Sequence, residues 1–297
     1  MMITRRRFLA ITAAAMAAPA QASPVRWRGR AMGADVGVTL DAPESVAIPA
    51  IQKVKALLST CENLFSLHDP NSTLSRLNRE RRLSFPPDRF YRLVELCSEM
   101  HILTEGRFDP TIQPAWRAMA TGGDVEAARA AIGWERVSHS SKDIRLGPGQ
   151  ALSLNGIAQG YATDLVTRAL RDAGMSKVLV NIGEYHGIGR HWNLGVSDPL
   201  YGIVAIRRMR DRAMATSSPG ALLFDDNASH IVNPLEASVA HWSTVSIEAE
   251  HATVADALST ALCHASSEEI KSVLRNSRAS PLAICVGHDG KIEFISR

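Results

Sequence analysis

The order of helix-like and strand-like segments is the feature that most constrains the fold of this chain. Helical patterns dominate the first half, and strand-like runs collect in the second half without regular alternation. A doubly wound parallel sheet needs strands that alternate with helices. The order therefore predicts an α+β architecture, and 297 residues are enough for one sizeable core.

Each predicted segment rests on spacing and on end signals. Asp124 has the position of a helix N-cap, and Ser266 with Glu269 has the pattern of a capping box. The helical patterns cover residues 46–65, 87–105, 124–132, 157–173, 251–265 and 267–276. The strand-like runs cover residues 34–40, 151–154, 177–182, 192–196, 202–207 and 243–248, and a terminal hairpin turns at Asp289-Gly290.

The first 22 residues are typical of an export signal and not of a folded segment. Arg5–Arg7 precede Phe8-Leu9 and an Ala-rich stretch, which resembles a twin-arginine signal; a general secretion signal is the alternative. We expect cleavage after Ala22, export by the twin-arginine route to the periplasm, and one domain over residues 23–297. The apolar run is too short for a membrane anchor, so the sequence does not predict an integral membrane protein.

Charge and cysteine content narrow the function classes. The predicted leader holds three of the 33 basic residues and none of the 30 acidic ones, so the remaining chain has 30 of each. Such a balance does not favour binding to nucleic acid. No CxxC spacing occurs among Cys61, Cys97, Cys263 and Cys285, which argues against a zinc site. We expect buried free thiols, and a disulfide stays open in an oxidising compartment.

A candidate metal site lies in the helical pattern of residues 251–265. Asp256 and Thr260 are four residues apart, so a helix places them on one face. A carboxylate and a hydroxyl form an oxygen-only pair that suits Mg²⁺ better than zinc. The spacing alone also fits a solvated helix face.

Further motifs end strand-like or apolar runs with glycine or proline. The stretch LSLNGIAQGYATDL, residues 152–165, runs through glycines into a helix, as phosphate sites do, but it has no lysine; helix N-terminal amides are the expected source of positive charge. FDPTIQP lies at 108–114, NIGEYHGIG at 181–189, ATSSPG at 215–220 and SHIVNP at 229–234. Each of these motifs by itself also fits a turn or a structural histidine.

The order of the motifs resembles one known family. RAMGADVGVTL, FSLHDPNSTLSRLN, GRFDPTIQP, LSLNGIAQGYATDL, VNIGEYHGIG, MATSSPG, SHIVNP and VADALSTAL follow the order of motifs in the ApbE family of FAD:protein FMN transferases. The resemblance covers about residues 28–297. It implies an ApbE-like α+β fold with FAD in a cleft, and Mg²⁺-dependent transfer of FMN from FAD to a Thr or Ser hydroxyl of a target flavoprotein, with release of AMP.

The resemblance also implies roles for individual residues. It assigns His230 as the general base and, with Asp256, as catalytic. It assigns the metal to Asp256, Thr260 and a backbone carbonyl, expected at Gly156. The implied contacts with the flavin nucleotide are Met32, Asp109, Thr111, Gln159, Glu184, Thr216, Ser217 and His230.

Several positions depart from the usual family pattern. Ser153 stands for Asp, Asn155 for Gly and Gln159 for Lys in the loop, and Asn233 stands for Asp in the histidine motif. His68 replaces an aromatic residue, and Ala34 replaces Thr. The loss of an acid–base pair leaves two alternatives beside transfer: a non-catalytic FAD or FMN carrier, and an FAD pyrophosphatase.

These departures and the leader look like one exported branch of the family, the NosX-like factors of nitrous oxide reductase maturation. The resemblance then implies a periplasmic acceptor, the flavin domain of a membrane-bound, NosR-like flavoprotein. The branch and the acceptor are expectations that rest on the resemblance.

Overall fold

A computed structural model describes residues 24–224 and 228–297, and the predicted leader lies outside these residues. The described part contains the strands β1 Val25–Ala31, β2 Ala34–Leu40, β3 Arg82–Ser84, β4 Ser138–His139, β5 Asp143–Arg145, β6 Val178–Asn181, β7 Tyr185–Ile188, β8 Trp192–Asp198, β9 Gly202–Met209, β10 Arg212–Ser217, β11 Thr244–Ala249, β12 Leu282–Val286 and β13 Ile292–Ile295. It also contains the helices α1 Glu44–Phe65, α2 Thr73–Glu80, α3 Asp88–Leu103, α4 Gln113–Thr121, α5 Val125–Arg129, α6 Ala158–Asp172, α7 Ala252–Ala261 and α8 Ser267–Asn276.

One antiparallel sheet of eight strands organises the molecule. Its order is β1-β2-β6-β7-β10-β11-β12-β13, and every neighbouring pair is antiparallel. Smaller sheets pair β3-β5-β4 and β8-β9. Helices and strands are not alternated as a parallel sheet requires, so the predicted α+β class is confirmed.

Two apolar clusters flank the middle of the large sheet. The larger joins α1, α3 and α6 to β2 and β6, and the second joins α7 and α8 to β11 and β12. Because α6 and α7 pack against each other between these clusters, the chain between β5 and α6 and the end of β10 meet near the middle of the sheet. The site described below lies at that meeting point.

The predicted end signals are confirmed for two helices. The Asp124 carboxylate accepts the Ala127 N–H at 2.9 Å, and Ser266 and Glu269 form the reciprocal capping box of α8. Helix α1 begins at Glu44, two residues earlier than expected, so Pro49 lies in its second turn and not in its first. Its ring leaves the carbonyl of Ser45 without the usual helical N–H donor.

The strand expected at residues 151–154 is absent from the described structure. The Asn78 side chain makes the hydrogen bonds that a neighbouring strand would make. It donates to the Leu152 carbonyl at 2.9 Å and accepts the Leu152 N–H at 2.7 Å. The Ser153 N–H donates to the Pro110 carbonyl at 2.7 Å. The alternating pattern predicted that a neighbouring strand would hold this segment. A side chain and a loop carbonyl hold it instead.

Cysteine chemistry and hydropathy agree with the expectations for the described residues. Cys61, Cys97, Cys263 and Cys285 are free and buried. Burial raises the pKa of the Cys61 thiol to about 11, which keeps it protonated and unreactive. Within residues 24–224 and 228–297, no helix combines the length and the hydropathy needed to cross a membrane.

Candidate active site

One cavity of about 710 Å³ collects most of the residues singled out in the sequence. A volume of this size is typical of pockets for cofactor-sized ligands. Its walls come from the β1–β2 turn, the segment before α6, the β6–β7 turn, the end of β10, residues 230–234 and α7. The predicted site residues that line it are Met32, Asp109, Gly156, Gln159, Glu184, Thr216, Ser217, His230, Asp256 and Thr260.

Two buried carboxyl groups, those of Asp256 and Glu184, line this cavity. Asp256 is 3% exposed, and its Oδ2 accepts the Gly160 N–H at 2.9 Å. Burial raises the pKa of Asp256 to about 7, and only the Gly160 hydrogen bond opposes this rise. Burial, and then the charge of Asp256, raise the pKa of Glu184, against one hydrogen bond from the Thr216 N–H. No basic side chain is among the described groups that shift either pKa, so a bound cation would stabilise both carboxylates.

The oxygen atoms around Asp256 fit Mg²⁺. Thr260 follows one turn later on α7, and its hydroxyl lies 3.3 Å from Ser217 Oγ. A Cβ at Gly156 would lie 2.9 Å from Thr260 Oγ1, so the backbone there approaches the threonine as only glycine allows. A carboxylate, a hydroxyl and a nearby backbone are the hard donors that Mg²⁺ prefers. Within the described chain no three His, Cys, Asp or Glu residues cluster as metal ligands.

Helix α7 is fixed by an aspartate that the sequence analysis did not single out. Asp164 on α6 accepts the N–H groups of Ala252 and Thr253, each at 2.9 Å, and the Thr253 hydroxyl at 2.6 Å. It therefore caps the helix that carries Asp256 and Thr260. Burial raises the pKa of Asp164, but the His186 imidazole, with Nδ1 at 3.5 Å, and the hydrogen bonds from Thr253 outweigh burial, and the pKa is lowered. The feature of the sequence that could have indicated this contact was the nearby Gly160, because a glycine there permits close packing of α6 on α7.

The histidine of the SHIVNP motif faces the cavity as a neutral base. His230 Nδ1 lies 3.0 Å from the Leu222 carbonyl oxygen, so Nδ1–H donates and Nε2 keeps its lone pair. Burial lowers the pKa of His230, although hydrogen bonds to the backbone of Leu222 and Pro219 oppose this. Arg129 holds the same segment through the carbonyls of Asn233 and Pro234. The imidazole is thus neutral and oriented at neutral pH.

Residues 32–284 match the model of the ApbE family. The chain belongs to this family. A protein of Escherichia coli strain K12 named FAD:protein FMN transferase is 23% identical over 271 residues, which cover 80% of this chain and 76% of the relative.

Two solved structures share the ApbE fold. The flavinyl transferase ApbE of Pseudomonas stutzeri, in its apo form, is 25% identical, with a TM-score of 0.77 over 92% of this chain and 94% of that one. The ApbE protein of Thermotoga maritima is 23% identical, with a TM-score of 0.82 over 92% and 97% of the two chains. The predicted fold family is confirmed.

The Phe-Asp-Pro-Thr motif of this ApbE-family chain acts mainly within the protein. Asp109 lines the cavity, but one carboxylate oxygen accepts from the N–H and hydroxyl of Thr111 and the other from the Trp134 N–H. Thr111 has no exposed surface and does not line the cavity; its hydroxyl also accepts the Gly133 N–H at 2.8 Å. In the described structure Thr111 supports Asp109 from behind the cavity lining, and its contact with a nucleotide stays a prediction.

The hydroxyls at the end of β10 are also engaged by neighbours. Thr216 Oγ1 lies 2.7 Å from Ser246 Oγ, and Ser217 Oγ lies 2.8 Å from Ser259 Oγ. Both residues still line the cavity. Each hydroxyl keeps a lone pair or a proton for a ligand, because it can donate one bond and accept two.

Two of the departures from the ApbE pattern have structural partners. Asn233 accepts the Leu235 N–H at 3.1 Å and donates to Ser238 Oγ at 2.8 Å, so it closes a turn after His230. The Gln159 amide donates to the Met32 carbonyl at 3.1 Å and also lines the cavity. Neither departure removes a group from the Asp256–Thr260 pair or from His230.

Proposed function

We propose that this protein is an FAD:protein FMN transferase that uses Mg²⁺. Membership of the ApbE family and the names of its relatives support this activity. The observation that carries the proposal is a single cavity that joins two buried carboxyl groups with raised pKa values to a neutral, oriented histidine. Phosphoryl transfer requires charge neutralisation and a positioned hydroxyl, which are the two things that this cavity can supply.

The proposed reaction moves one phosphoryl centre. The acceptor oxygen bonds to the phosphorus of the FMN half of FAD, the bridging phosphorus–oxygen bond breaks, and AMP leaves. His230 Nε2 takes the acceptor hydroxyl proton, because Nδ1 already donates to the Leu222 carbonyl. Mg²⁺, held by Asp256, Thr260 and the backbone near Gly156, would neutralise charge on the pyrophosphate.

The remaining lining residues bind and orient. Glu184 lies beside Asp256, and a cation bound there would favour the ionised form of both carboxyl groups. The hydroxyls of Thr216 and Ser217 offer hydrogen bonds to the flavin nucleotide. Met32 forms an apolar wall, and Gln159 supports it through the backbone.

We further propose export and a periplasmic acceptor in a respiratory system. The support is the twin-arginine pattern at Arg5–Arg7 and the departures at Ser153, Gln159 and Asn233, which resemble the branch linked to nitrous oxide reductase maturation. The acceptor would be the periplasmic domain of a membrane-bound flavoprotein. Its hydroxyl reaches the cavity in a Ser/Thr-rich segment.

Mass spectrometry of a candidate acceptor tests the activity directly. Incubation with FAD and Mg²⁺ should add one FMN to the acceptor and release one AMP, and EDTA should prevent both. FMN and AMP without acceptor would identify a pyrophosphatase, and intact bound FAD with acceptor present would identify a carrier.

Matched histidine variants sharpen this test. His230→Ala should lose transfer, whereas His288→Ala should keep it, because His288 bonds the Ala240 carbonyl and does not line the cavity. Equal transfer by His230→Ala and the wild type would contradict the role of His230 as the base.

A further inference from the structure

The β1–β2 turn presents a methionine to the cavity in an unusual backbone conformation. Met32 and Gly33 form a two-residue hairpin turn, with φ angles of 53° and 79°. Such turns favour Asn-Gly, because a side chain at positive φ is strained. Met32 keeps this conformation and lines the cavity. Strain of this kind persists only where surrounding groups hold it in place.

Two hydrogen bonds hold the Met32 backbone from opposite ends. Its N–H donates to Glu62 Oε1 at 3.1 Å, and its carbonyl accepts from Gln159 Nε2, also at 3.1 Å. Glu62 lies on α1 and Gln159 lies on α6, and these helices pack together. The turn is therefore tied to the helical layer on both sides of its strained residue.

The Gln159 side chain is itself confined. A Cβ at Gly183 would lie 2.6 Å from Gln159 Cδ, so the amide packs on a backbone that has no side chain. Gly183 has a φ of 91°, at the turn that leads to Glu184. Gln159 thus spans from the β6–β7 turn to the β1–β2 turn.

We propose that Gln159 is a positioning residue, which with Glu62 fixes the Met32 side chain as a wall of the flavin-nucleotide cavity. The relevant property is its capacity to donate to the Met32 carbonyl, not its contact with phosphate. The identity of the ligand rests on the function proposed above, but the hold on the turn does not.

Substitutions at Gln159 separate donation from size. Gln159→Met keeps length and removes the donor, and Gln159→Glu keeps shape and replaces the donor with an acceptor. Gln159→Lys keeps a donor on a flexible stem. Gln150→Met is the matched control, because the Gln150 amide donates to the Gly133 carbonyl at 2.6 Å and does not line the cavity.

Two measurements test whether Gln159 holds the β1–β2 turn and whether that hold affects FAD binding. Hydrogen exchange of the metal-free, ligand-free protein, followed by mass spectrometry of the peptide around residues 28–36, reports the hold on the turn. Flavin fluorescence in EDTA reports the Kd for FAD. Gln159→Met and Gln159→Glu should speed exchange at the turn and weaken FAD binding about five-fold, the factor expected for one ordinary hydrogen bond. Gln150→Met should match the wild type in both, and Gln159→Lys, which keeps a donor, should match it in exchange at the turn.

The outcomes distinguish this inference from the proposed function. Unchanged exchange at the turn in Gln159→Met would overturn the inference, whatever the ligand is. Weaker FAD binding with unchanged exchange would also overturn it, because Gln159 would then act on the nucleotide directly. If Gln159→Met exchanges faster than the wild type at the turn, but the wild-type protein itself binds no FAD, the hold on Met32 is supported and the proposed function is refuted.

Discussion

Replacement of Asp256 by asparagine should stabilise the metal-free protein while it abolishes transfer. Burial raises the pKa of Asp256 from an ordinary 3.8 to about 7. At about 1.4 kcal/mol for each pH unit, that rise corresponds to at most about 4 kcal/mol of unfolding free energy. The asparagine carbonyl can still accept the Gly160 N–H that Asp256 accepts at 2.9 Å.

The sign of the effect follows from proton binding. Below about pH 4 the carboxyl is protonated in both the folded and the unfolded chain. As the pH rises from there through about 7, the unfolded chain releases its proton first, so the free energy of unfolding of the wild type falls. Asparagine has no proton to lose. The stability difference between variant and wild type should therefore grow from pH 4 to pH 7 and stay constant above.

Urea unfolding in EDTA, followed by tryptophan fluorescence at pH 5 and pH 8, measures this difference. Asp164→Asn is the matched control, because Asp164 has a lowered pKa and accepts three hydrogen bonds from Ala252 and Thr253. It should lose about 1–3 kcal/mol at pH 8. Mg²⁺ should stabilise the wild type and not Asp256→Asn. An Asp256→Asn variant that is no more stable than the wild type at pH 8 in EDTA would refute the reasoning.

Three further outcomes are expected. Gly160→Ala should destabilise the protein by about 1–3 kcal/mol in thermal unfolding, because its Cβ would lie 2.3 Å from the Ala252 carbonyl oxygen; a wild-type Tm would contradict the tight packing of α6 on α7. His230→Ala should reduce kcat by about 10²–10⁴-fold and change the Kd for FAD little. The acid limb of the wild-type kcat profile should lie below pH 6.5, because burial lowers the pKa of His230 and protonation removes the base. Met32→Asn should raise the Tm, since asparagine suits a φ of 53°, but weaken FAD binding; a lower Tm would argue against strain at this turn.

Local signals predicted the helices well and the sheet poorly. Helix α8 and its capping box were predicted from four residues, because a cap depends on neighbours in sequence. Strands β1, β7 and β10 were not predicted as separate elements. Strand β1 pairs with β2 across the Met32-Gly33 turn, a local hairpin that the sequence patterns did not reveal. Strands β7 and β10 pair with each other although β8 and β9 lie between them in the chain. The expected strand at 151–154 failed for the same reason, since Asn78 supplies the bonds that a neighbouring strand would have made.

The candidate site was predicted in its members but not in its electrostatics. The family pattern named Asp256, Thr260 and His230, and all three line one cavity. The raised pKa of Asp256 could not be predicted, because it comes from burial and from Asp164 on another helix. The cap that Asp164 places on α7, and the bond from Gln159 to Met32, also join residues far apart in sequence.

The sequence by itself determined the α+β class, most of the helices, the family and the residues with the chemistry of the site. These depend on residue type and short-range spacing, which the chain carries without folding. Only the tertiary structure decided that Thr111 supports Asp109, that Gln159 bonds a backbone carbonyl, and that two buried carboxyl groups share one cavity. The physical reason is that burial and hydrogen-bond partners are set by segments that meet only when the sheet and its helices assemble.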